Sequence, residues 1–138
     1  MTSTSAQPRV GITGISHLTQ MVTDLERSKH FYGTVLGFEE LRRPDFGGFP
    51  GAWYRVGESQ VHLGVVDELP PKGKGLPHFA VYIPTDRYQE TIAALKEADV
   101  PFLREATSRD DFGRTVWAAF ITDPDGHVIE LTDVGPPE

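Results

Sequence analysis

The chain has 138 residues, 38% of them hydrophobic, and a formal net charge of −7. That length suits one domain with a real core, and the apolar share, with eight Phe and two Trp, excludes a disordered chain. The acidic balance without a Lys/Arg cluster argues against nucleic acid as a partner, strand-sized apolar runs argue against a membrane span, and the absence of Cys removes disulfides, thiolate metal sites and Cys nucleophiles.

Met1 to Val10 has neither a basic start nor an apolar run, so a polar tail and a cytoplasmic location are expected. Ile15 to Val22 is β-prone, with Ile15, His17, Thr19 and Met21 on one face. Asp24 is a good N-cap for a helix carrying Leu25, Ser28, Phe31, Tyr32, Val35 and Leu36, which Gly37 ends. Phe38 to Arg43 reads as a strand, Pro44 to Gly51 as a Gly/Pro loop, and Ala52–Val56 with Gln60–Val66 as a hairpin around Gly57-Glu58-Ser59. Asp67 to Gly75 is a linker.

The order then repeats. Leu76 to Ile83 is a strand, and Thr85 or Asp86 caps a helix carrying Tyr88, Ile92, Leu95 and Ala98. Val100 to Glu105 is a strand, Thr107 to Arg114 a polar loop, Thr115 to Thr122 an apolar strand and His127 to Thr132 the last strand. Asp123-Pro124-Asp125-Gly126 looks like an acidic pair, but turn chemistry accounts for it. The expected organisation is one structural domain: a disordered tail at 1–11, a first module at 12–66, a linker at 67–75, a second module at 76–133 and a tail at 134–138.

Each half carries a His in its first strand and a second metal-ligand candidate in its last. His17 and His62 occupy these places in the first half, His78 and Glu130 in the second, and His17 and His78 are 61 positions apart. Two or three neutral imidazoles with one carboxylate suit a single divalent ion, Zn, Ni, Fe, Co or Mn. Such an ion can act as a Lewis acid on a carbonyl or enediolate oxygen, or activate water. Taken singly, a strand His is more often a hydrogen-bonded structural group; the repeated placement is what favours ligands. His30, beside Lys29 on a helix, reads as exposed, and His127 points opposite to Glu130; neither is expected to bind metal. Trp53, Phe49 and Trp117 are candidates for lining a substrate pocket, and Arg55 for binding a substrate carboxylate.

These residues resemble the vicinal oxygen chelate superfamily, which includes glyoxalase I, extradiol dioxygenases, fosfomycin-resistance enzymes, methylmalonyl-CoA epimerase and bleomycin-binding proteins. The marks are Ile15-Ser16-His17, Asp24 to Ser28 leading to Phe31-Tyr32 and Val35-Leu36-Gly37-Phe38, Pro77-His78-Phe79-Ala80, and Asp123 to Glu130. The resemblance covers about residues 12 to 133 and implies an α+β fold: two βαβββ modules forming a cup-shaped eight-stranded mixed sheet with flanking helices, often completed by a homodimer. It implies metal ligands at His17, His62, His78 and Glu130, with Glu130 able to exchange between ligand and catalytic base. Met21 and Val66 stand where glyoxalase I has its glutathione-binding Arg and Asn, so glutathione is not the expected substrate. Phe120 stands where extradiol dioxygenases place a Tyr, and the polar loop lacks their His. The expected function is a metal-dependent, glyoxalase-like lyase or isomerase acting on a small oxygen-rich molecule. A non-haem iron dioxygenase and a metal-free, bleomycin-type binding protein are the alternatives.

Overall fold

The computed structural model describes residues 9–135; the outer parts of both expected tails lie outside them. Eight strands and two helical segments follow in the expected order. They are β1 (His17–Val22), α1 (Leu25–Lys29) continued by a π-helical turn (His30–Val35), β2 (Glu39–Leu41), β3 (Gly51–Val56) and β4 (Ser59–Val65). The second set is β5 (His78–Tyr82), α2 (Thr85–Glu97), β6 (Phe102–Arg109), β7 (Val116–Thr122) and β8 (Val128–Thr132). They form two four-stranded mixed sheets, ordered β1-β4-β3-β2 and β5-β8-β7-β6. In each sheet the first strand runs parallel to the last, and the other pairs are antiparallel.

Alternation along the strands sorts each sheet into two faces. Ala52, Tyr54, Val61 and Leu63 are buried on one face of the first sheet, and Ala119, Ile121, Ile129 and Leu131 on one face of the second. All eight belong to a single hydrophobic cluster with Phe31, Tyr32, Tyr88, Ile92 and Leu95 from the helical segments. Side chains one position along therefore point to the open faces. Those faces carry Thr19, His62 and Trp53 in the first sheet, and His78, Glu130 and Phe120 in the second.

Several local details differ from the sequence reading. The first helix is α-helical for little more than a turn after its Asp24 cap, whose carboxylate accepts from the Arg27 N–H at 3.1 Å. It then widens, with Leu36 N–H donating to Phe31 O at 2.9 Å, five residues back. Gly33 lies in the widened turn, where an added Cβ would sit 3.3 Å from the Tyr54 ring. No side chain caps α2; the Thr85 hydroxyl instead donates to the buried Asp133 carboxylate at 2.8 Å. Strand β6 runs on through Thr107–Arg109, where the polar sequence predicts a loop, because Ser108 and Arg109 pair with Trp117 and Val116. As an edge strand, β6 can carry polar residues on a side that no other strand covers.

The Asp-Pro-Asp-Gly turn does more than reverse the chain. Asp123 Oδ1 accepts the N–H groups of Asp125 and His127, while Oδ2 accepts the Tyr32 hydroxyl at 2.7 Å. Asp125 accepts from Thr23 N–H, the Thr23 hydroxyl and Arg27. The turn of the second module is thus bonded to the helix start of the first. In β1 the carbonyls of Ser16 and Val22 point to β4, so Met21 O and Thr23 N–H point the other way. Both are taken by the second module, Met21 O by His127 Nε2 at 2.5 Å. The outer edge of β1 therefore faces the second module of the same chain.

Among the described residues, no helix is long and apolar enough to cross a membrane.

Candidate metal and substrate site

The four candidate ligands fall into two pairs, each set by the parallel strands of one module. His17 and His62 lie on neighbouring strands, and their rings stack with centroids 4.0 Å apart and planes 15° apart. His62 also stacks on Trp53, its direct cross-strand neighbour, at 4.2 Å and 4°. Three flat rings thus form one pile on the open face. Gln60 Oε1 lies 2.8 Å from His62 Nε2. Burial, then His17, then the Arg43 guanidinium hold the His62 pKa below its ordinary value, which favours the neutral imidazole a metal needs.

In the second module, His78 Nδ1–H donates to Leu76 O at 2.6 Å. Its Nε2 lies 3.1 Å from Glu130 Oε1, a hydrogen-bond contact with a hydrogen between the two atoms. In a metal-binding His one ring N–H is commonly held by a backbone carbonyl, as Leu76 O holds Nδ1 here, while the other nitrogen takes the ion. Phe120 lies edge-on to the His78 ring at 5.4 Å. Each pair borders an opening. A cavity of about 390 Å³ lies beside His62, and one of about 250 Å³ lies between β1 and β5 beside His78; Thr19 borders both.

The chemistry of this donor set fits a divalent ion, since it offers three imidazoles and a carboxylate on open faces. The two pairs remain separate. Among the described residues no three His, Asp or Glu side chains already stand close enough together to hold an ion.

The other candidates divide. Trp53 and Phe49 line the cavity beside His62. Trp117 does not; it points to the helix side of β7 and packs against Tyr88 at 6.1 Å. Arg55 lies on the open face but is half exposed and paired with Glu39 at 3.1 Å, so its charge is already met. His30 is exposed, and His127 is bound to the β1 edge.

The sequence reading passed over Arg43. It follows β2, where Glu39 pairs with Arg55 and Leu41 with Trp53. Two further steps in that register set Arg43 opposite Gly51, and an added Cβ at Gly51 would sit 3.0 Å from Arg43 Nε. The guanidinium lies 4.8 Å from the Phe46 ring centroid and borders the cavity beside His62. A long cation two residues past a strand, opposite a glycine, is the signal that could have found it.

Comparison with known proteins agrees with this architecture. A family model described as "Glyoxalase/Bleomycin resistance protein/Dioxygenase superfamily" matches residues 14–131. The chain is 28% identical to "Glyoxylase I 4" of Arabidopsis thaliana, over 87% of this chain and 70% of that protein. It is 30% identical to "Metallothiol transferase FosB" of Staphylococcus epidermidis, over 87% of this chain and 81% of that protein. Among solved structures, a glyoxalase family protein from Enterococcus faecalis superposes with a TM-score of 0.70 at 25% identity, over 89% of this chain and 99% of that one. A glyoxalase/dioxygenase from Nostoc punctiforme shares the fold, with a TM-score of 0.77 at 21% identity over 99% of this chain and 100% of that one.

Proposed function

The chain belongs to the Glyoxalase/Bleomycin resistance protein/Dioxygenase superfamily, and on that footing we propose that it is a divalent-metal-dependent enzyme. The ion would be held by His17, His62, His78 and Glu130. The observation that carries this reading is the His78–Glu130 pair, with Nδ1–H fixed on Leu76 O and Nε2 turned to the carboxylate. Two relatives named for enzymatic activities, a glyoxylase I and a metallothiol transferase, support it.

Within that class the reaction we propose is a glyoxalase-like isomerisation or lyase step on a small oxygen-rich substrate that does not carry glutathione. When bound, the ion supplies Lewis acidity for an oxygen next to the reacting carbon. Glu130 takes a proton from a hydroxyl-bearing carbon beside a carbonyl onto a carboxylate oxygen and returns it to the carbonyl carbon, while the hydroxyl proton passes to the former carbonyl oxygen, so the step needs no oxidant. The His17–His62–Trp53 stack holds the two imidazoles of the first module face to face, and Phe120 packs edge-on against the His78 ring. Met21, which lines the cavity, stands at the place where the family resemblance puts a glutathione-binding Arg. We take the working assembly to be a homodimer, as the family resemblance implies; size-exclusion chromatography with light scattering reads this directly.

The experiment is metal analysis of protein purified after supplementation with each of Zn, Ni, Fe, Co and Mn. Stoichiometric metal that is lost in His78→Ala and in Glu130→Ala supports the reading, and a protein that stays metal-free with every ion rejects it.

A further inference from the structure

The cavity beside His62 contains a charge that the chain does not answer. Arg43 Nε is shut off from solvent and has no hydrogen-bond acceptor. Among the described residues Arg43 forms no salt bridge, although Arg27, Arg55, Arg87, Arg109 and Arg114 each find a carboxylate. A buried guanidinium N–H without an acceptor costs stability unless a ligand supplies one.

The surroundings keep it in place. The absence of a side chain at Gly51 leaves room for the guanidinium, since an added Cβ would lie 3.0 Å from Nε and 3.1 Å from Cζ. Phe46 lies beneath the charge at 4.8 Å and approaches Trp53 at 6.0 Å, and Trp53 stacks on His62. A continuous aromatic wall therefore runs from the cation to the candidate metal ligand. Phe46 and Phe49 are 52% and 56% exposed, so both rings are open to a molecule in the cavity. On the cavity floor, Gly64 leaves open the space next to Met21.

We propose that Arg43 is the anion-binding residue of this site, and that the ligand class is a flat organic anion. Its carboxylate meets the guanidinium, its unsaturated body lies on Phe46 and Trp53, and its far end reaches towards His62. Only the last of these rests on the metal-site reading. A guanidinium suits a carboxylate because its N–H groups form a planar fork that matches two oxygens. A cavity of about 390 Å³ fits a body of one or two fused rings.

The test uses the intact, metal-stripped protein, so that its outcome is separable from metal binding. Isothermal titration calorimetry compares 2-naphthoate with neutral 2-naphthamide. The wild type is expected to bind the carboxylate at least about tenfold more tightly, a difference of about 1.4 kcal/mol, and raised salt should narrow the gap. Arg43→Gln should abolish the preference while leaving naphthamide affinity unchanged, and Arg43→Lys should keep most of it. Equal affinity for the two probes, no binding of either at millimolar concentration, or a preference that survives Arg43→Gln would each overturn the proposal. The probe comparison on the wild type decides the matter even if Arg43→Gln does not fold. Metal uptake by the wild type is measured in parallel; if the wild type takes up no metal while the probe preference holds, the metal reading falls and this one stands.

Discussion

The imidazole of His62 lies flat on the indole of Trp53, with centroids 4.2 Å apart and planes 4° apart. The two residues face each other directly across β3 and β4, so sheet register, rather than any loop, fixes where this candidate ligand stands. Stacking on the other side by His17 leaves the His62 ring little freedom to turn.

Trp53→Ala should therefore weaken metal binding without unfolding the protein. Partners that orient a ligand typically contribute ten- to a hundredfold in affinity, and a loss of about tenfold is expected here in a competitive metal titration. A far-UV spectrum and melting temperature near those of the wild type would show that the loss is local.

Two glycines should behave oppositely. An added Cβ at Gly51 would come within 2.3 Å of the Leu63 carbonyl oxygen, which is backbone and cannot step aside. At Gly64 the nearest atom is the flexible end of Met21, at 3.2 Å. Gly51→Ala should cost about 2 kcal/mol or more in urea unfolding, and Gly64→Ala less than about 1 kcal/mol.

The Tyr32–Asp123 bond joins the modules inside the core, and burial followed by the Asp123 charge pushes the Tyr32 hydroxyl far above its ordinary range, so it stays a donor. Tyr32→Phe removes that donor and leaves a buried carboxylate oxygen unmet. The expected loss is about 1.5–3 kcal/mol, read from chemical denaturation with the slope unchanged.

Asp133 supplies an acid-sensitive element. Burial alone would raise its pKa, but the Trp117 N–H, the Thr85 hydroxyl and Arg114 outweigh burial and hold it below the usual carboxylate value. With the folded value below the unfolded one, the contribution to stability is complete above about pH 4 and disappears as pH falls through the folded value. Asp133→Asn should be less stable than the wild type at pH 7, and the difference should shrink below about pH 4 in melts taken across pH.

Much of this arrangement was legible in the sequence. Glu130 between Ile129 and Leu131, and His62 between Val61 and Leu63, announce their faces by alternation, and the repeated order of elements announces two modules. Trp117 could not be placed in that way. In β7, Val116 to Ile121 is apolar at both parities, so alternation assigns no face, and only the packing on Tyr88 decides it. Arg43 depends on the β2–β3 register carried past the end of the strand. The cross-module role of the Asp-Pro-Asp-Gly turn depends on Thr23, Arg27 and Tyr32, about a hundred positions away, and local turn chemistry gave no hint of them.

The most direct test of the account is the metal content of three proteins: the wild type, the His17→Ala/His62→Ala variant and the His78→Ala/Glu130→Ala variant, each loaded with the preferred ion and dialysed. If both pairs serve one ion, the wild type holds a stoichiometric amount and both variants hold none. A variant that keeps the ion in full without one of the pairs would contradict the account.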